Sequence, residues 1–211
     1  MNKEEFYNEV NKLGINLDNH QKEQLDKFYQ ILIEENKKIN LTRIVEEKDV
    51  YLKHFYDSLT IVKAIDLTKI NTLCDVGTGA GFPGLVLKIV YPNLKITLID
   101  SLQKRVNYLN ETIKKLKLND IKAIHTRSED YKEQFDVVTA RAVASLEKLI
   151  NWCMHLVKKD GKFIAMKANV DDELINIDKT LIKNKCIIEK KISFLLPNEN
   201  SNRTLVVIRK S

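Results

Sequence analysis

"LCDVGTGAGFPG", from Leu73 to Gly84, holds four of the chain's six glycines within eight positions. Glycine loses more conformational entropy on folding than any other residue, so so dense a cluster marks backbone at positive φ or backbone pressed against something else. The run "NTLCDV" (71–76) reads as a buried strand, and residues 84–91 read as a helix. The glycines therefore fill a strand-to-helix turn. In an open α/β sheet such a turn is where ligands bind, beside a helix N-terminus whose free N–H groups attract electron-rich groups.

Three kinds of ligand use a turn of this type. A phosphate loop, G-x-x-x-x-G-K-[ST], is excluded because Gly84 is followed by Leu85 and Val86. A dinucleotide fingerprint aligns on Gly79, Gly81 and Gly84, with Asp100 placed for ribose hydroxyls. The Tyr-x-x-x-Lys of short-chain reductases is broken here, since Pro92 lies between Tyr91 and Lys95. A third frame, D-x-G-x-G-x-G from Asp75, resembles the first motif of class I S-adenosylmethionine-dependent methyltransferases. In that frame Asp75, Gly77, Gly79 and Asp100 are candidate cofactor residues.

Outward from the turn, short apolar runs alternate with amphipathic stretches. "KITLID" (95–100), "IKAIHT" (121–126), "FDVVTA" (135–140), "GKFIAMK" (161–167), "CIIEKKISF" (186–194) and "RTLVVIRK" (203–210) read as further strands. Helices are expected over 84–91, 101–117, 145–157 and 170–184. The alternation predicts an α/β fold with a seven-stranded, mostly parallel sheet covered by helices on both faces. The last two strands, joined directly through "LPNENSN", are expected to pair antiparallel at one end. Upstream, Leu25, Phe28, Tyr29, Leu32 and Ile39 recur at helical spacing behind an N-cap at Asp18 or Asn19. Leu52, Phe55, Leu59 and Val62 form a second helical set. Residues 1–68 are therefore expected to be an all-helical extension, and residues 69–211 the sheet domain.

With 211 residues and 44% hydrophobic composition, one good core can form. No 18-residue apolar run and no signal-like start occur, so a soluble, cytoplasmic protein is expected, with no membrane partner. Three widely spaced cysteines form no metal-site pattern and are expected to be reduced and buried; no metal is expected. Lys plus Arg number 35 against 29 Asp plus Glu, a net charge of +6 that favours an anionic partner such as nucleic acid.

Taken together, "NLTR" (40–43), "HFYDSL" (54–59), "DVGTGAGFPG" (75–84), "RAVASL" (141–146) and "MKA" (166–168) resemble the RsmG family, also called glucose-inhibited division protein B. The resemblance covers nearly the whole chain. It implies a class I methyltransferase, Rossmann-like in its sheet, acting with S-adenosylmethionine on N7 of a guanine in small-subunit (16S) ribosomal RNA. It further implies cofactor contacts at Gly77, Phe82, Asp100, Ser128, Glu129 and Arg141. Locally, Gly77 and Gly79 let backbone approach a ligand, Phe82 offers an apolar wall, and Ser128 and Glu129 can address an adenine edge. His54 and Asp57, spaced i, i+3 beside the apolar stripe, are candidates with Arg141 for the catalytic centre, or for a structural pair that bonds each other. Arg43, Lys53, Lys167 and Arg203 are the basic residues expected to hold RNA.

Absent motifs narrow the acceptor. Neither the [DN]-P-P-[YFW] of exocyclic-amine enzymes nor an aspartate for ribose 2′-O transfer stands at Thr139–Arg141, and no cysteine is placed to attack a pyrimidine carbon. Guanine N7 needs no activation, because its in-plane lone pair is free at neutral pH. Aligning two bound reactants can then supply ~7–11 kcal/mol of the barrier without a general base. The N7 edge is hidden in A-form RNA, so the target is expected in an unpaired segment or unstacked into the pocket. A monomer acting on 16S RNA, the small subunit or an assembly intermediate is expected. Other RNA or small-molecule acceptors, or a non-catalytic ribosome-assembly role, stay as alternatives.

Overall fold

The computed structural model describes residues 1–211. The chain begins with helices α1 (Lys3–Lys12) and α2 (Asn19–Ile39). A composite helix follows: α3 (Glu47–Val50), a π turn (Tyr51–Tyr56) and α4 (Asp57–Leu59) run on without a break. Then come β1 (Thr72–Val76), α5 (Gly84–Val90), β2 (Lys95–Asp100), α6 (Gln103–Lys115), β3 (Ile121–His125), β4 (Phe135–Arg141) and α7 (Leu146–Cys153). The chain closes with β5 (Val157–Lys167), α8 (Asp171–Leu174), α9 (Asp178–Lys183), β6 (Cys186–Leu195) and β7 (Asn202–Lys210).

One seven-stranded sheet results, in the order β3-β2-β1-β4-β5-β7-β6. β1 pairs in parallel with β2 on one side and β4 on the other. The order therefore reverses at the end of β1, which opens a crevice there. The final two strands pair antiparallel as the short link demands, but β7 also inserts between β6 and β5, antiparallel to both. The expected helix over 170–184 is broken instead into α8 and α9, with Asn176 at φ 65° between them. α1 was not signalled by apolar periodicity, since only Phe6 and Val10 are buried, although Asn2 and Glu5 form a reciprocal capping box. Asp18 is the N-cap of α2, closed by Gln21 in the same way.

Residues 1–68 have no core of their own. Phe6, Val10, Leu25, Phe28, Leu32 and Phe55 share one apolar cluster with Leu85, Leu98 and Val137 of the sheet layer. Phe28 stacks on Phe55 at 5.5 Å and lies 5.4 Å from Phe82 of the glycine turn. Side-chain amides of α2 also close two helix ends, Gln21 donating to Val90 at 2.9 Å and Gln24 to Leu116 at 3.0 Å. The opposite sheet face is filled by a second cluster around Val138, Ile150 and Phe163. All three cysteines are buried and unpaired. No helix is long and apolar enough to cross a membrane.

The shared core gives a direct test. Phe28→Ala is expected to destabilise the whole chain by about 3–5 kcal/mol in urea unfolding. A loss below about 1 kcal/mol, or a separate early transition for the helices, would mean that the two layers do not fold as one unit.

Candidate active site

Asp75 closes β1 and makes the turn possible. Its Oδ2 accepts from the Thr78 hydroxyl at 2.6 Å and from the Gly84 amide at 2.8 Å, tying the end of the strand to the start of α5. The carboxylate is fully buried and Oδ1 has no partner. Burial pushes its pKa up to about 6, against the opposing pull of those two hydrogen bonds. Asp75, a candidate cofactor residue by its motif, lies behind the turn and braces it. Gly77 and Gly79 sit at φ 67° and 59° on the front of the turn. A Cβ on Gly77 would meet Val143 at 2.8 Å, whereas one on Gly79 would make only an ordinary contact with the Gly77 carbonyl oxygen at 3.9 Å.

In front of the turn lies a groove in two halves. The first, about 320 Å³, is walled by Val76, Ile99, Val143 and Trp152, with Ser128 and Glu129 at its polar edge. The second, about 340 Å³, runs past Gly79, Phe82 and Arg105 to His54 and Arg141. Gly77, Asp100, Ser101 and Val143 border both halves. Asp100 is 2% exposed, and its carboxylate accepts from the Gly79 and Leu102 amides, each at 2.9 Å, with Arg105 at 3.4 Å. Three donors leave the carboxylate acceptor capacity on the side that faces the groove. The Ser128 hydroxyl donates to Glu129, which leaves the Glu129 carboxylate at the rim of the groove.

Arg141, at the end of β4, forms the far wall. Its Nη1 donates to Asp57 at 3.0 Å and to the Lys53 carbonyl at 3.2 Å, and Nη2 donates to His54 Nδ1 at 3.1 Å. The π turn makes the second contact available: the Asp57 amide donates to Leu52 and His54, passing over Lys53. A guanidinium can only donate, so His54 Nδ1 is the acceptor and Nε2 carries the proton, which it gives to Thr42 Oγ1 at 2.9 Å. The imidazole stacks on Phe82 at 4.4 Å with an 11° tilt between planes, and the Arg141 guanidinium lies 5.2 Å from the same ring. Phe82 thus faces the helical core as well as the groove. His54 and Asp57 do not bond each other, contrary to one reading of their spacing. Asp57 gives its second oxygen to Arg203 Nε at 3.0 Å.

A second cleft of about 270 Å³ adjoins the groove, sharing His54, Arg141 and Ala142 with it. It gathers three of the four expected RNA-binding residues, Lys53, Lys167 and Arg203. Lys53 is paired with Glu199 at 2.9 Å, and Lys167 with Glu173 at 2.7 Å. Arg43 is exposed outside the cleft, next to its lining residue Ile44. Sequence reasoning missed Thr42, Arg105, Val143 and Trp152. Thr42 carried a signal inside "NLTR" and Val143 inside "RAVASL"; Arg105 and Trp152 carried none.

Burial, with the Arg141 charge behind it, lowers the His54 pKa from 6.5 to about 3. Below about pH 6.5 the unfolded chain takes up a proton that the folded chain refuses, so His54 makes stability fall with acidity by up to about 1.4 kcal/mol per pH unit. Asp75 acts oppositely between about pH 6 and 4, where only the folded chain holds its proton. Comparing wild type with His54→Gln cancels the Asp75 contribution. The stability difference between them is expected to shrink steadily from pH 6 to pH 4, and a pH-independent difference would refute a neutral His54.

Comparisons with known proteins bear on the family and the fold. The GidB family, described as rRNA small subunit methyltransferase G, matches residues 21–205. A ribosomal RNA small subunit methyltransferase G of Bacillus licheniformis is 49% identical, with 100% of this chain and 91% of that protein covered. Its namesake in Listeria monocytogenes serovar 1/2a is 44% identical over 100% of this chain and 92% of its own length. Among solved structures, a ribosomal protein L11 methylase from Lactobacillus delbrueckii aligns with a TM-score of 0.58 at 22% identity, covering 79% of this chain and 80% of its own. A SAM-dependent methyltransferase from Aquifex aeolicus aligns at 0.57 and 17% identity, covering 83% and 97%. These structures share the fold, a class I methyltransferase sheet. By its sequence over essentially its whole length, the chain belongs to the GidB family of rRNA small subunit methyltransferase G proteins.

Proposed function

We propose that the protein transfers a methyl group from S-adenosylmethionine to N7 of a guanine in 16S ribosomal RNA, acting as a monomer in the cytoplasm on the RNA, the small subunit or an assembly intermediate. Family membership supports the enzyme class and the cofactor. One observation carries the choice of acceptor atom: the wall between the groove and the second cleft offers no base. His54 has its lone pair occupied by Arg141, Arg141 stays protonated, and both Asp57 oxygens accept guanidinium N–H groups. An acceptor that must lose a proton finds no uncommitted base on that wall, since the one carboxylate there is held between two guanidinium groups.

The groove suits the cofactor in kind. Ile99 and Val143 offer apolar walls for an adenine, Glu129 an edge for its amino group, Asp100 an acceptor for a ribose hydroxyl, and Gly79 an approach free of any Cβ. Arg105 and Arg141 offer cations for a carboxylate. When bound, S-adenosylmethionine supplies an electrophilic methyl on a sulfonium and takes back the C–S electron pair as a neutral thioether. The N7 lone pair forms the new C–N bond, the guanine takes the positive charge, and no proton moves. Arg141 can donate to guanine O6 while leaving N7 bare; the usual bidentate arginine contact would block N7. Arg141 is therefore an aligning group, worth what alignment is worth.

Labelled-methyl transfer to 16S RNA, with the product nucleotide mapped by mass spectrometry, tests the assignment. Arg141→Ala is expected to cut turnover at least tenfold, ~1.4 kcal/mol in barrier. The wild-type rate is expected to be flat from pH 6.5 to 8.5, and a limb that requires a deprotonated side chain in that range would overturn the base-free reading.

A further inference from the structure

The two arginines of the second cleft come from different strands. Arg141 ends β4 and Arg203 is the second residue of β7, with β5 running between them, so their backbones lie at least two strand spacings, about 10 Å, apart. One side chain spans that gap. Asp57, 6% exposed, accepts at Oδ2 from Arg141 Nη1 and at Oδ1 from Arg203 Nε, each at 3.0 Å. Its carboxylate thus fixes how far apart two like charges stand and cancels part of their repulsion. The two cations are not equally committed. Arg203 Nη1 is held by Ser201 and Asn202, but its Nη2 makes no intramolecular hydrogen bond. Lys53 and Lys167, on the same rim, are each taken up by a carboxylate. Beneath this rim the cleft is apolar, built from Ile44, Met166 and Leu205.

We infer that this cleft receives the acceptor nucleotide and that Asp57 is its positioning residue, holding Arg141 toward the base edge and Arg203 toward the nucleotide's phosphate. The inference rests on the function proposed above and adds where the nucleotide sits. An apolar floor accepts the face of an unstacked base, and the volume of about 270 Å³ lies at the small end of ligand pockets, on the scale of a single nucleotide. The free Nη2 of Arg203 is the rim donor left for a phosphate oxygen. The shared wall of His54 and Arg141 places whatever fills the cleft directly beside the cofactor groove. Asp57 is the one carboxylate that touches either arginine; on Arg141 it acts with the Lys53 carbonyl and His54, while Arg203 is held by Ser201 and Asn202 as well.

Binding of a fluorescent single-stranded RNA containing the target guanine, together with methyl-transfer kinetics on 16S RNA, separates these roles. Arg203→Gln is expected to weaken RNA binding at least fivefold and to lower the slope of log affinity against log salt by about one, with Arg203→Lys recovering most of that slope. Asp57→Asn is expected to lower kcat at least tenfold while KM for RNA changes less than threefold and S-adenosylmethionine affinity by calorimetry changes less than twofold. Unchanged RNA affinity and salt slope in Arg203→Gln would overturn the inference. So would an Asp57→Asn enzyme whose kcat, KM and cofactor affinity all decline in step with its melting temperature, since that is a brace and nothing more. Should Asp57→Asn not fold, the Arg203 pair decides alone. A wild-type protein that binds RNA but methylates none of it refutes the proposed function instead, and the binding comparison still decides this cleft.

Discussion

A guanidinium enclosed at a seam is the constraint on which the rest of this molecule depends. Arg141 stands at the end of a central strand with its side chain only 12% exposed, and every side-chain hydrogen bond it donates goes to the composite helix of residues 47–59. Leaving such a charge without a partner costs on the order of 3–5 kcal/mol. The helical layer therefore cannot be an ornament on a finished methyltransferase sheet. It supplies the counter-charge, the carbonyl exposed by the π turn and the imidazole that the site end of the sheet requires, and its phenylalanines complete the core on that face.

The same constraint accounts for the site's chemistry. Holding Arg141 in place occupies His54 Nδ1 and both Asp57 oxygens, so the three ionisable groups nearest the reaction wall are spent on one another. What remains is geometry: a braced turn that brings backbone to the cofactor, a stacked wall of Phe82 and His54, and a cleft on the far side for the acceptor. A site of this kind suits a reaction whose nucleophile is ready as it arrives.

Much of this was legible in the sequence because it depends on local rules. The glycine run, the period-two and period-3.6 patterns and the Asp18 cap each act over a few residues, and the strands and most helices fall where those patterns put them. Insertion of β7 beside β5 is a long-range choice with no local signal, and the break at Asn176 reflects a residue tolerant of positive φ inside an otherwise helical stretch. The candidate site was legible as a set of residues but not as a set of bonds. Spacing put His54 and Asp57 on one helix edge; only the fold shows that each faces an arginine brought from another strand. Asp75 was assigned to the ligand because its motif precedes the turn, yet its burial makes it a brace. Val143, although inside "RAVASL", and Trp152 are ordinary apolar residues until the crevice forms around them.

Direct attack by an unprotonated ring nitrogen, aligned and not activated, is the centre of this account. It is tested most directly with 16S RNA carrying 7-deazaguanosine at the nucleotide the enzyme methylates, which exchanges the nucleophilic nitrogen for a C–H and leaves the Watson–Crick edge unchanged. Such RNA is expected to bind with affinity close to that of unmodified RNA and to accept no methyl group. Methylation of the analogue at that nucleotide would contradict N7 as the acceptor.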